Sequence, residues 1–202
     1  MPVATDRDRA LKPVRRRQGV TVREAAQAGI HTQVLSRLVP VGELERIARG
    51  LYRPPEQALT EHHGLAIAAA AVPHGLMCLL SALQHHGIGT QLPSEVWMAI
   101  DRRARRPALR YPPLRIVRYT GAALTEGVES HRLEGREVRV YNVENTLADC
   151  FKYRNQIGLE VALEALREAW RGRRFKMAEL DRYTAICRVQ RVMRPYVGAL
   201  TA

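Results

Sequence analysis

The 202-residue sequence predicts an α+β protein in two parts, and three observations carry that reading. Between Val20 and Arg53 a capped short helix, a glycine turn, a second short helix and a two-stranded basic hairpin follow one another. Past Pro54-Pro55-Glu56 an Ala- and Leu-rich helical pattern takes over and gives way to segments that alternate with period two. The C-terminal third returns to helical spacing. The expected arrangement is a winged helix-turn-helix over residues 1–55 and a second α+β domain over residues 56–202, a small sheet packed by helices.

Thr21 suits the N-cap of a helix over 22–28, and Glu24 stands where its carboxylate can reach back to the cap amide. Gly29 can take the positive φ that ends that helix in a tight turn, and Ile30 offers an apolar plug. From His31 or Thr32 a short helix sets Val34, Leu35 and Leu38 on one face and Thr32, Gln33, Ser36 and Arg37 on the other. Hydroxyls, an amide and a guanidinium match the donors and acceptors of base edges in a major groove, and arginine can pair bidentately with guanine. Pro40 and Gly42 break the helix. Residues 44–47, the turn Ala48-Arg49-Gly50 and residues 51–53 read as a wing, with Arg46, Arg49 and Arg53 available for phosphates. Such modules also serve as pure interaction domains, but cap, turn, short helix and basic wing in this order favour DNA.

In the second part, residues 61–72 and 76–86 read as two buried helices split at Pro73-His74-Gly75. Residues 95–100 form an expected strand, and 114–119 another with its arginines on one face. Between and within them lie Arg102, Arg103, Arg105 and Arg106, then Arg110, Arg115 and Arg118, with no acidic residue from Arg102 to Thr125. This run suits a nucleic-acid or acidic partner, and equally a solvated loop. A hairpin is expected from residues 129–133 and 137–141 around Glu134-Gly135-Arg136. Helices follow over 143–153, 158–170 and 177–188, with a last piece near Pro195. Leu147, Cys150 and Phe151 have the spacing of a core face, which leaves Asp149, Lys152 and Arg154 as flanking polar positions.

Composition narrows the function. The chain carries 32 Lys+Arg against 20 Asp+Glu, a net charge of +12, which suits a polyanionic partner bound in a salt-sensitive way. Only Lys12, Lys152 and Lys176 are lysines, a bias toward arginine that a GC-rich genome also produces. Cys78, Cys150 and Cys187 are odd in number and widely spaced, and read as reduced core thiols of a cytoplasmic protein. No secretory leader or membrane span is expected, since the apolar run 65–72 is short and meets Pro73. A nucleotidyltransferase would need a Gly-Ser turn and an Asp-x-Asp pair for Mg²⁺. The one such pair, Asp6-Arg7-Asp8, sits in a polar tail without that turn, so the chain reads as non-enzymatic. His62-His63 and His85-His86, near Cys78, invite a metal reading. Adjacent histidines on a helix diverge, however, so surface or capping histidines, and no metal or cofactor, are the expectation.

Three blocks together carry a resemblance: GELERIARGLYRPP after the helix-turn-helix, LMCLLSALQHHGIGTQLPSEVWMAI, and VYNVENTLADCFKYRNQIGLEVALEALREAWRGRR. In this order and spacing, from about Val20 to about Tyr183, the chain resembles the AbiEi-type antitoxins of bacterial type IV toxin-antitoxin systems. One departure is Pro40-Val41-Gly42, which stands where a basic pair would be expected before the glycine. The resemblance implies an N-terminal winged helix that binds inverted repeats in double-stranded promoter DNA and represses its own operon. It further implies a C-terminal domain that neutralises a cognate nucleotidyltransferase toxin, with tRNA as a further candidate partner and the segment holding Asp149, Lys152 and Arg154 as a candidate antitoxin surface. The alternative is a transcriptional regulator whose second domain senses a ligand or dimerises, with no toxin partner.

Overall fold

The computed structural model describes residues 11, 12, 14, 19–55 and 62–201. Asp6-Arg7-Asp8, the junction residue Glu56 and the start expected at Glu61 for the third helix lie outside the described residues. The secondary structure is mixed α and β, with two small sheets. The chain divides into two compact units: Met1–Pro73 with Arg106–Pro113 and Arg132–Val138, and His74–Arg105 with Leu114–His131 and Arg139–Ala202.

From Val20 the first unit runs through β1 (Val20–Thr21), α1 (Val22–Gln27) and α2 (Thr32–Leu38), then β2 (Glu45–Ala48), β3 (Leu51–Arg53) and α3 (His63–Ala71). The capping box is complete: the Glu24 amide donates to the Thr21 hydroxyl at 3.1 Å, and the Thr21 amide donates to the Glu24 carboxylate at 2.7 Å. Gly29 takes φ +73° where α1 ends, a conformation that costs a side chain bearing Cβ far more. The strands form an antiparallel sheet in the order β1-β3-β2, with Arg46 opposite Tyr52, Glu45 opposite Arg53 and a bulge between Arg46 and Ala48. Both faces of this sheet are covered. Tyr52 joins Ala25, Ile30, Leu35, Leu38 and Leu44 in the helix-turn-helix core, while Leu51 and Ile47 pack on Ile67 of α3.

The second unit holds β4 (Leu76–Met77), α4 (Leu79–His86), β5 (Val96–Asp101), β6 (Leu114–Tyr119) and α5 (Ala122–Thr125). The hairpin β7 (Val128–Leu133) and β8 (Arg136–Tyr141) follows, and its outer end, Arg132–Val138, counts with the first unit. Then come α6 (Val143–Lys152), α7 (Arg154–Ile157), α8 (Leu159–Arg171), α9 (Met177–Cys187) and α10 (Gln190–Thr201), the last running through Pro195. The sheet order is β6-β5-β4-β8-β7, with β4 antiparallel to β5 and parallel to β8.

Two expectations for this region are corrected. Leu76 and Met77 are the central strand of the sheet, and the helix starts only at Leu79. A strand buried on both sides has no alternation to read, and Gly75 before it leaves room for Met98, which a Cβ would strike. Arg115 and Arg118 lie three residues apart on β6, so they point to opposite faces rather than sharing one.

The core centres on α6, which meets α4, α8 and α9. Leu147, Cys150 and Phe151 are buried, as their spacing predicts, but so are Asn145, Thr146, Ala148 and Asp149. Asp149 is 1% exposed, and the Cys187 thiol donates to it at 3.3 Å. Its expected place on a flanking surface is therefore corrected: helices and sheet enclose α6 on nearly every side. Burial pushes the Asp149 carboxyl up to about 6, against the opposing pull of Tyr119, Cys187 and Lys152. Cys78, Cys150 and Cys187 are free and buried, and burial followed by the Asp149 charge raises all three thiols, which makes them poor nucleophiles.

Candidate nucleic-acid interface

Helix α2 is fixed from behind. Leu35 and Leu38 are buried in the helix-turn-helix core, and His31 caps the helix by accepting the Gln33 amide on Nδ1 at 3.3 Å. Gln33, Ser36 and Arg37 are exposed and Thr32 is half-buried, so the polar face expected from the spacing is turned to solvent. The Ser36 hydroxyl also lies 3.4 Å from the Tyr52 hydroxyl on β3, which ties this face to the wing.

The three wing arginines stand in different situations. Arg49 is exposed in the turn with Gly50, which takes φ +73°. Arg46 is exposed, its Nε donating to the Ala48 carbonyl at 3.4 Å. Arg53 is engaged: its guanidinium donates to the Glu45 carboxylate at 2.8–2.9 Å and lies over the Tyr111 ring, 5.3 Å from its centre. Because cross-strand partners share a face, Arg46 projects on the Tyr52 side and Arg53 on the Leu51 side. The sequence grouped all three as equivalent phosphate ligands; the register separates them.

One residue that supports the site was not foreseen. Arg136, placed by the sequence in a hairpin turn, opens β8 and is 6% exposed. Its Nη1 donates to both Glu24 carboxylate oxygens at 2.9 and 3.0 Å, and its Nη2 donates to the Gly19 carbonyl. The same carboxylate thus caps α1 and pairs with Arg136. Burial alone would raise the Glu24 carboxyl, but the Thr21 amide and the Arg136 guanidinium more than offset this and hold it below its ordinary value. A signal was present, since Arg136, Val138 and Val140 alternate on the buried side of the strand. Beside it, His63 of α3 is buried with Nδ1 2.9 Å from the Glu134 carboxylate, so this histidine is neither a surface nor a capping residue.

The arginine run is divided between the units. In the second, Arg102, Arg103 and Arg105 are exposed on a turn built by Arg118, whose Nη1 donates to the carbonyls of Asp101, Arg102 and Ala104 at 2.8–3.2 Å. Arg115 lies over Trp97 and near Glu95, at 3.8 Å. Arg106 and Arg110 are exposed in the segment Arg106–Pro113 of the first unit. Elsewhere in the second unit, Lys152 sits over the Tyr119 ring, 4.6 Å from its centre, and Arg154 donates to the Phe151 carbonyl at 2.8 Å. His86 Nε2 lies 2.7 Å from the Tyr141 carbonyl, and the His85 and His131 rings are 4.4 Å apart. Among the described residues no group of three His, Cys, Asp or Glu is placed to hold a metal ion, and no helix is long and apolar enough to cross a membrane.

Comparison with known proteins agrees with the N-terminal reading. Residues 9–55 match the family model of the AbiEi antitoxin transcriptional regulators. No curated protein matches the chain. Among solved structures, the chain is similar to the crystal structure of the Rv2827c protein from Mycobacterium tuberculosis, at TM-score 0.63 and 16% identity, over 91% of this chain and 72% of that one. At that identity the likeness speaks for the α+β fold.

Proposed function

We propose that this chain, whose N-terminal region matches the AbiEi antitoxin regulators, binds double-stranded DNA at inverted repeats in its own promoter and represses that promoter. The observation that carries the reading is the exposed set Gln33, Ser36 and Arg37 on a helix whose opposite face is buried. In this reading Arg37 and Gln33 read base edges, with Thr32 and Ser36 beside them, while Arg46 and Arg49 contact phosphates. The chain is also the antitoxin for a nucleotidyltransferase toxin, with DNA binding centred on residues 1–55 and neutralisation on residues 56–202. In that second role Lys152, which ends α6, and Arg154, which opens α7, are half-buried and partly accessible to a partner, and the buried Asp149 acts only through packing.

The test is a mobility shift with the duplex upstream of its own coding sequence, at two salt concentrations, beside a tRNA shift. Arg37→Ala is expected to weaken binding to that duplex by about 1–3 kcal/mol and to relax preference at one base pair. Arg49→Ala is expected to weaken all sequences alike and to flatten the salt dependence by about one ion. Unchanged affinity in Arg37→Ala would remove α2 as the recognition helix. A second reading, a ligand-sensing regulator without a toxin, is favoured by a groove of about 650 Å³ between α9 and α10, lined by Leu180, Met193 and Val197 together with Arg191 and Arg194. Co-expression with the neighbouring gene separates them: rescue from a toxic product supports the antitoxin.

A further inference from the structure

We propose that the segment Arg106–Pro113 is a second DNA-contacting arm, held on one flank of the wing by Arg53, and that Arg106 and Arg110 contact the phosphates on that flank. The inference rests on the DNA-binding reading above.

Four observations lead to it. Arg53 is neutralised by Glu45, so it adds little net charge to the Leu51 side of the wing. The same guanidinium lies over the ring of Tyr111, which joins the segment to the end of β3. Arg106 and Arg110 precede Tyr111 closely in sequence, are exposed, and have no acidic partner among the described residues. Finally, the segment belongs to the same compact unit as α2 and the wing.

The register supplies the geometry. Arg46 projects on the Tyr52 side of the hairpin and Arg53 on the other. A wing that enters a minor groove, about 6 Å wide, runs between two phosphate backbones. A hairpin charged on one face alone meets only one of them. Arg46 serves one flank, and with Arg53 used as a bracket, Arg106 and Arg110 serve the other. Arg53 is on this account a positioning residue. Duplex DNA is favoured over RNA because the arm sits on the unit that carries α2, a helix sized for a B-form major groove and not for the deep, narrow groove of A-form RNA.

The experiment uses the full chain with the duplex upstream of its own coding sequence and with tRNA, reading the salt dependence of binding and a hydroxyl-radical footprint on each DNA strand. Arg106→Ala/Arg110→Ala is expected to lower the slope of log K against log salt by about 2, at roughly 0.9 per phosphate contact, and to lose protection on one strand only. Arg106→Lys/Arg110→Lys is expected to restore both, since a phosphate requires charge rather than a fork. Tyr111→Ala, which keeps both arginines but frees the arm from Arg53, is expected to lose the one-strand protection. An unchanged slope and footprint in the double alanine variant overturns the arm while leaving the DNA reading intact. A loss of tRNA binding with duplex binding unchanged assigns the arm to RNA and overturns it as well. Failure of the unaltered chain to bind the duplex overturns both the arm and the reading beneath it.

Discussion

Replacing Arg136 with alanine is expected to destabilise the N-terminal unit by about 3–5 kcal/mol, the cost typical of removing one partner from a buried ion pair. The side chain of Arg136 is 5% exposed and that of Glu24 21%, so little water is at hand to take over the lost contacts. The Gly19 carbonyl also loses a donor. Urea unfolding followed by circular dichroism measures the effect. Glu24→Gln keeps a side chain that can cap α1 but removes the charge. The double variant Glu24→Gln/Arg136→Met should therefore recover part of the stability lost by Arg136→Met alone. A loss below about 1 kcal/mol in Arg136→Ala would place the pair with surface salt bridges. The same contact makes an isolated 1–55 fragment a poor stand-in for the winged helix, since it lacks both Arg136 and Ile67.

Asp149→Asn is expected to act in the other direction. With its carboxyl raised from 3.8 to about 6, the folded chain holds a proton that the unfolded chain releases between those values. Stability therefore falls as pH rises through that window, and by pH 7 the buried charge costs about 3 kcal/mol. The asparagine variant removes that cost while keeping an oxygen for the Cys187 thiol. It should be more stable than the unaltered chain at pH 8, with the gap shrinking as pH falls below 6. A gap independent of pH would show that folding does not shift this carboxyl, and a variant that loses stability relative to the unaltered chain as pH rises would show that the charge itself is held favourably.

The N-terminal half of this fold was legible because its signals are local. Thr21 with Glu24, Gly29, and the exposed and buried faces of α2 depend on residues a few positions apart, and periodicity exposes them directly. The second half was legible where alternation or helical spacing is clean, as in β6, α8 and α9, and illegible at Leu76–Met77, where a strand apolar on both sides carries no period. The site was read less fully than the fold. That Gln33 and Arg37 are exposed follows from helix geometry, but that Glu45 and Tyr111 occupy Arg53, or that Asp149 faces inward, depends on partners distant in sequence. Arg136 is the clearest case. Its own strand pattern placed it on a buried face, yet nothing near it in sequence names Glu24 as the reason.

Glu24 and Arg136 are separated by 112 residues, which makes the order of synthesis matter. The helix-turn-helix leaves the ribosome before α3 and the hairpin end Arg132–Val138, which its unit also requires. At roughly 5–20 residues per second, the ribosome needs about 6–22 s more to reach Arg136 after it has made Glu24. Throughout that interval the nascent helix-turn-helix has its capping box but lacks the Arg136 guanidinium. That portion is therefore finished only after the hairpin, and a chain released before the hairpin would carry a recognition helix on an incomplete scaffold.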